Sequence, residues 1–167
     1  MDLQLKNVKF SEFMSEETNA FTADLWFRGK KIGYTKNDGQ GGCTFTWAYD
    51  GMRDQLNEAE NYAKSLPAIV YKGVGGREDF SLDSNLEHVI DRLFENWLET
   101  KEIKKQEKKG IYYEKPNGQR ATTYWVGWTL KDLLNNPKGR GIIANAIFKL
   151  QKEGNTILNT NLGSLLT

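Results

Sequence analysis

Phe21-Thr22-Ala23-Asp24-Leu25-Trp26-Phe27-Arg28-Gly29-Lys30-Lys31 decides the fold class of this chain. Apolar residues at Phe21, Ala23, Leu25 and Phe27 alternate with Thr22, Asp24, Trp26 and Arg28. A period of two places the two sets on opposite faces of a strand. Gly29-Lys30 then supplies a tight turn into a second strand over 31–37, since glycine takes the positive φ of short hairpin turns. Upstream, Leu3, Leu5, Val8 and Phe10 keep the alternation across one slip, as a bulged strand does. Downstream, Cys43, Phe45, Trp47 and Tyr49 share a face opposite Thr44 and Thr46. Residues 3–49 thus read as an antiparallel meander with one buried side, and this phase makes Cys43 a small buried hydrophobe. The polar stretch 11–19 reads as a loop.

The period then changes. Leu56, Ala59, Tyr62, Ala63 and Leu66 mark a helix from Arg53 that Pro67 stops. A short strand over 68–71 and a second glycine-rich connection over 72–77 follow. Leu86, Val89, Ile90, Leu93, Phe94, Trp97 and Leu98 keep the 3, 4 spacing of one helical face, with Asp83 or Ser84 as its N-cap and Gly110 beyond its end. Pro116-Asn117-Gly118 joins two strands, because Asn-Gly is a strong hairpin signal. Thr129 and Asp132 have the spacing of a capping box. Pro137 opens a last helix with the stripe Ile142, Ile143, Ala146, Ile147 and Leu150, and Gly154 closes it. A final strand over 156–158 and a frayed Asn/Ser/Gly tail complete the reading. The fold class is α+β: an antiparallel sheet, made of an N-terminal meander and a C-terminal hairpin, packed by two to three helices in one domain over 1–167.

Composition bounds the function. The 167 residues carry a net charge of +1, which advertises neither a nucleic-acid binder nor an acidic DNA mimic. One cysteine excludes an internal disulfide and a Cys-only metal cluster. No stretch approaches the roughly 18 apolar residues of a membrane span, and the N-terminus lacks a secretory pattern. The chain reads as cytoplasmic.

One segment asks for an explanation. Gly29, Gly33, Gly39, Gly41 and Gly42 crowd into fourteen positions between strands, although glycine weakens strands. Consecutive exposed amides in such a run form a concave anion site, to which Lys30, Lys31 and Lys36 would add charge beside Asn37. Trp26 or Trp47 would stack on a base. Trp26 and Trp125 lie opposite the main apolar faces of their strands, and Trp26 shares its side with Asp24 and Arg28. The run matches neither the phosphate-binding loop nor the dinucleotide fingerprint. No residue set compels a catalytic chemistry, a metal site or a cofactor. Five lysines over 101–109 form a basic helix end that suits phosphate, or equally offsets the helix dipole.

Ser15-Glu16-Glu17-Thr18-Asn19-Ala20-Phe21-Thr22-Ala23, with Gly29-Lys30-Lys31-Ile32-Gly33 and Asn37-Asp38-Gly39-Gln40-Gly41-Gly42, resembles a group of small bacteriophage and mobile-element proteins. The resemblance covers about the first fifty residues and, more weakly, the lysine-rich helix. It brings no active site. It implies a counter-defence setting, in which a protein sequesters a nucleotide-like host immune signal. The expected binding set is Trp26, Lys30, Lys31, Lys36, Asn37, Gly39, Gly41, Gly42 and Trp47. The alternatives are an inhibitor that binds a host defence protein through an aromatic surface, and a nucleic-acid binder using the lysine-rich helix. Cleavage of the ligand and homo-oligomer formation both stay open at this point.

Overall fold

The computed structural model describes residues 2–71 and 78–165; the second glycine-rich connection, 72–77, lies outside the described residues. The architecture is α+β, with a four-stranded antiparallel meander, a smaller C-terminal sheet and helices. Contacts divide the chain into two compact units, residues 1–96 and 97–167.

In the first unit, β1 (Leu3–Ser11), β2 (Ala20–Phe27), β3 (Lys30–Asn37) and β4 (Phe45–Ala48) pair in chain order. The β2–β3 turn is Arg28-Gly29, one residue earlier than expected, with φ of 47° and 79°. Two positive φ values define the hairpin turn whose twist matches that of the strands. The slip in β1 is a bulge between Lys6 and Lys9. Asn7, at φ 51°, occupies it and donates its amide to Asp24 at 2.7 Å.

Register then sorts the side chains. Leu3, Phe21, Ala23, Leu25, Phe27 and Ile32 are buried on one face. Beneath it lie α1 (Arg53–Lys64), which buries Leu56, Ala59 and Ala63, and the first half of α2 (Leu86–Gln106). Phe94 stacks on Phe21 with ring centroids 4.0 Å apart, and Tyr62 meets Phe27 at 5.5 Å. The N-cap of α2 is Asn85, not Asp83 or Ser84. Its side chain accepts the His88 amide at 2.7 Å, while the Ser84 hydroxyl donates to the Pro67 carbonyl. β5 (Ile69–Tyr71) and β6 (Phe80–Leu82) form a separate two-stranded ribbon.

One expected face is reversed. Thr46 pairs with Thr35 and Trp47 with Tyr34, so Thr46 of β4 turns inward and the strand's aromatics outward. Thr35 donates to the Phe45 carbonyl at 3.0 Å and Thr46 donates to Thr35 at 3.2 Å, which satisfies the inward hydroxyls. Cys43, on the aromatic phase, is exposed rather than buried.

In the second unit, β7 (Ile111–Glu114) lies between β8 (Arg120–Thr123) and β9 (Thr156–Ile157). The capping box of Thr129 and Asp132 starts α3 (Leu130–Leu134), and Asn136 caps α4 (Pro137–Lys152). Ile111, Leu130, Leu133, Ile143, Ile147, Leu150 and Leu162 form its core, with Trp125 packed against them. The tail is therefore not frayed as far as Leu162. Buried Asn159 accepts the Tyr112 amide at 2.7 Å and donates to the Gly110 carbonyl at 3.1 Å.

Candidate ligand-binding site

Within the glycine loop, the Gly39 and Gly41 amides are not open to an anion. The Gly39 amide donates to the Asn37 side chain at 2.9 Å, and the Gly41 amide to the Thr18 hydroxyl at 3.3 Å. The Gly39 carbonyl accepts the amides of Glu16, Glu17 and Thr18. Asn37 also donates to the Gly42 carbonyl and to Thr44. Glycine is required at 39 for a local reason: φ is +86°, and a Cβ there would collide with the Met14 carbonyl. Asn37, Gly39, Gly41 and Gly42 thus fasten the 15–18 loop to the end of β3.

The cavity beside this loop has the wrong charge for phosphate. It holds about 280 Å³ and is lined by Glu17, Asp91 and Glu95 together with Thr18, Asn37 and Gly42, with no basic side chain in its wall among the described residues. Burial pushes the Asp91 carboxyl upward, Glu87 adds to this, and the Thr44 hydroxyl bond opposes it. Glu87, and with it burial and Asp91, raises the Cys43 thiol, which disfavours the nucleophilic thiolate.

The other expected residues meet elsewhere. On the uncovered face of the four-stranded sheet, register sets Lys6, Asp24, Tyr34 and Trp47 in one row across four strands. Thr22, Lys36 and Phe45 form the next row, and Gln4, Trp26 and Lys31 the row on the other side. Tyr34 stacks against Trp47 at 6.2 Å, and Phe45 against Trp47 at 6.0 Å, each at 30° between planes. Trp47 is 51% exposed and Phe45 58%. Trp47 and Phe45 therefore stand open to solvent on the outer strand of the sheet, in series with the half-buried Tyr34 ring of β3.

Asp24 organises the charges around them. Its carboxylate accepts the Tyr49 hydroxyl at 2.7 Å and the Asn7 amide at 2.7 Å, and pairs with the Lys31 ammonium at 3.0 Å. Burial works to raise its pKa, but the bonds from Tyr49, Asn7 and Lys31 together prevail and hold it below the ordinary value. The same bond to Asp24 raises Lys31, whose ammonium also lies 4.6 Å over the Tyr49 ring. Lys6 caps the Trp26 ring at 3.7 Å, so this indole is not an open platform. Its Nε1 is buried with no hydrogen-bond partner among the described residues. Lys36, beside Phe45, pairs with Asp38 at 2.5 Å in an exposed bridge.

Of the expected set, the sheet face unites Trp26, Lys31, Lys36 and Trp47. Lys30 lies opposite Phe27 at the hairpin end and falls outside it. Tyr34, Phe45 and Lys6 were not in the expected set. For Tyr34 the signal was the parity of 31–37, which puts it with Lys36 on one side of β3.

No protein-family model, curated protein or solved structure matches this chain. No helix among the described residues is long and apolar enough to cross a membrane.

Proposed function

We propose that the uncovered sheet face binds a nucleotide-type ligand, with a base on the Tyr34–Trp47–Phe45 ladder and a phosphate at Lys36. The observation that carries this reading is the three-ring series, with Trp47 and Phe45 exposed, and lysines on its flank. Aromatic faces stack on any nucleobase, at roughly 1–3 kcal/mol per base. The Lys36–Asp38 bridge has 41% and 61% exposed side chains, and such pairs contribute only about 0–1 kcal/mol. A doubly charged phosphate can therefore recruit Lys36 at little cost. Lys31 stays with Asp24 and keeps Tyr49 in place.

Titration calorimetry with linear and cyclic nucleotides tests the reading. Wild-type protein is expected to bind at least one of them, and Trp47→Ala to weaken that binding about tenfold, the equivalent of 1.4 kcal/mol. No binding at millimolar ligand, or equal binding by the variant, overturns it.

A second reading draws on the position of β4 as the outer strand. An extended protein segment could pair with that edge and pack on the same rings. Under it, Trp47→Ala abolishes capture of a stoichiometric protein partner that no nucleotide displaces.

A further inference from the structure

We infer that α4 presents a contact face for double-stranded, A·T-rich DNA, formed by Lys138, Ile142, Asn145, Phe148, Lys149 and Lys152. The face shares no residue with the sheet site. At 100° per residue these six side chains fall within an arc of about 120°, and at 1.5 Å per residue they span about 21 Å of the helix. All six are exposed, Ile142 at 48% and Phe148 at 69%. The buried residues of the helix, Ile143, Ile147 and Leu150, lie on its other side, within the core of the second unit. Asn145 stands roughly opposite them, in the middle of the open face.

The helix carries Lys138, Arg140, Lys149 and Lys152 and no carboxylate, in a chain whose net charge is only +1. Helix stability explains half of this pattern. Lys149 and Lys152 in the last turn offset the macrodipole, but Lys138 and Arg140 near the start add charge to its positive end. Among the described residues, Lys138, Lys149 and Lys152 form no ion pair and the Asn145 side chain no hydrogen bond. Glu153, the first carboxylate past the helix, accepts the Asn155 side chain. Gly141 weakens a helix, and the packing does not ask for it, since a Cβ there would meet no atom within 4 Å. Lying between Phe148 and Asn145 in rotation, it lets a ligand come close to the backbone.

These features fit the major groove of a duplex, which admits one α-helix. Lysines neutralise phosphates along its rims. A free Asn amide offers the donor and acceptor that match adenine N6 and N7, and apolar side chains suit the thymine methyl group. A lipid surface needs one broad apolar face, whereas Ile142 and Phe148 stand at the two borders of the arc with Asn145 and the lysines between them. A single strand needs aromatic platforms for successive bases, and Phe148 is the one ring of this helix.

The test is fluorescence anisotropy of labelled A·T and G·C duplexes of about two helical turns, and of oligo-dT, against the full chain across a salt series. Circular dichroism confirms that each variant folds. Lys149→Ala/Lys152→Ala is expected to bind the A·T duplex about tenfold more weakly at low salt, and to flatten the log–log salt slope by roughly 1.8, at about 0.9 per phosphate contact. Lys149→Arg/Lys152→Arg keeps the wild-type slope. Asn145→Ala loses about tenfold on the A·T duplex and leaves the G·C duplex unchanged; it reads the same face should the lysine pair fail to fold. Trp47→Ala binds the duplex as wild type does. No duplex binding by wild type at micromolar protein and low salt overturns the inference, as does an unchanged affinity and slope in the alanine pair. So does tighter binding to oligo-dT or to vesicles containing phosphatidylserine than to the duplex, or equal affinity for the two duplexes. Duplex binding lost in Trp47→Ala but kept in the α4 variants places DNA on the sheet and overturns it too.

Discussion

Replacing Asp24 with alanine removes the common acceptor of three donors on the sheet face: the Tyr49 hydroxyl, the Asn7 amide and the Lys31 ammonium. Hydrogen bonds to a charged group contribute roughly 1.5–3 kcal/mol each. The three share one acceptor and do not add. The donors also regain water in the variant, since the Lys31 side chain is 43% exposed. The expected loss is about 3 kcal/mol at neutral pH, nearer one strong bond than three. Urea unfolding followed by circular dichroism measures it, and Tyr49→Phe in a double-mutant cycle should show a coupling of about 1–2 kcal/mol. The folded carboxyl is held below its ordinary pKa, so its contribution is present above the unfolded value of about 3.9 and fades as pH falls through the folded value. The gap between variant and wild type should therefore close in acid. A loss under about 1 kcal/mol at neutral pH, or a gap that widens in acid, refutes Asp24 as the organiser of this face.

Three further outcomes follow from the packing of the two units, each taken by itself. Asp91 has its folded pKa raised, by burial first, so its ionisation costs stability once pH rises above the ordinary carboxylate value. Asp91→Asn, which can still accept the Thr44 hydroxyl, should be more stable than wild type at neutral pH and equal to it below about pH 4 in parallel denaturation curves. A Cβ on Gly33 would lie 2.6 Å from the Trp47 carbonyl. Gly33→Ala should therefore wedge β4 from β3, cost about 1–3 kcal/mol and shift the Trp47 indole resonance more than that of Trp125. Asn159→Ala orphans the buried Tyr112 amide and Gly110 carbonyl; a loss of about 2–4 kcal/mol in thermal unfolding is expected, with the first unit's resonances unchanged.

The meander was legible because each strand from β1 to β3 carries its own alternation, and the hairpin glycine left one turn geometry available. The capping box and the Asn-Gly turn were legible for the same reason: their chemistry is local. The direction of β4 was not. Cys43, Phe45 and Trp47 are more apolar than Thr44 and Thr46, and apolar residues usually face inward. Here pairing with β3 fixed the parity, and the Thr35–Thr46 contact accommodated the inward hydroxyls. The glycine loop misled in a related way. Its composition suits an open nest, yet Thr18, 23 residues earlier in the chain, takes the Gly41 amide, and Asn37, two residues earlier, takes the Gly39 amide. Asn159 and Leu162 looked like tail because one buried amide and one leucine leave no periodic pattern. Trp26 and Trp47 stood out by residue type, but only the register shows that Lys6 covers the first and that Tyr34 and Phe45 extend the second.

A two-dimensional amide and indole NMR titration of the full chain with the tightest-binding nucleotide bears on the sheet-face account most directly. Shifts should concentrate on the Trp47 indole and the amides of Tyr34, Lys36 and Phe45, with Gly39 and Gly41 still in their free-state positions. Perturbations centred on those two glycines, or spread evenly over the chain with the Trp47 indole unmoved, would contradict it.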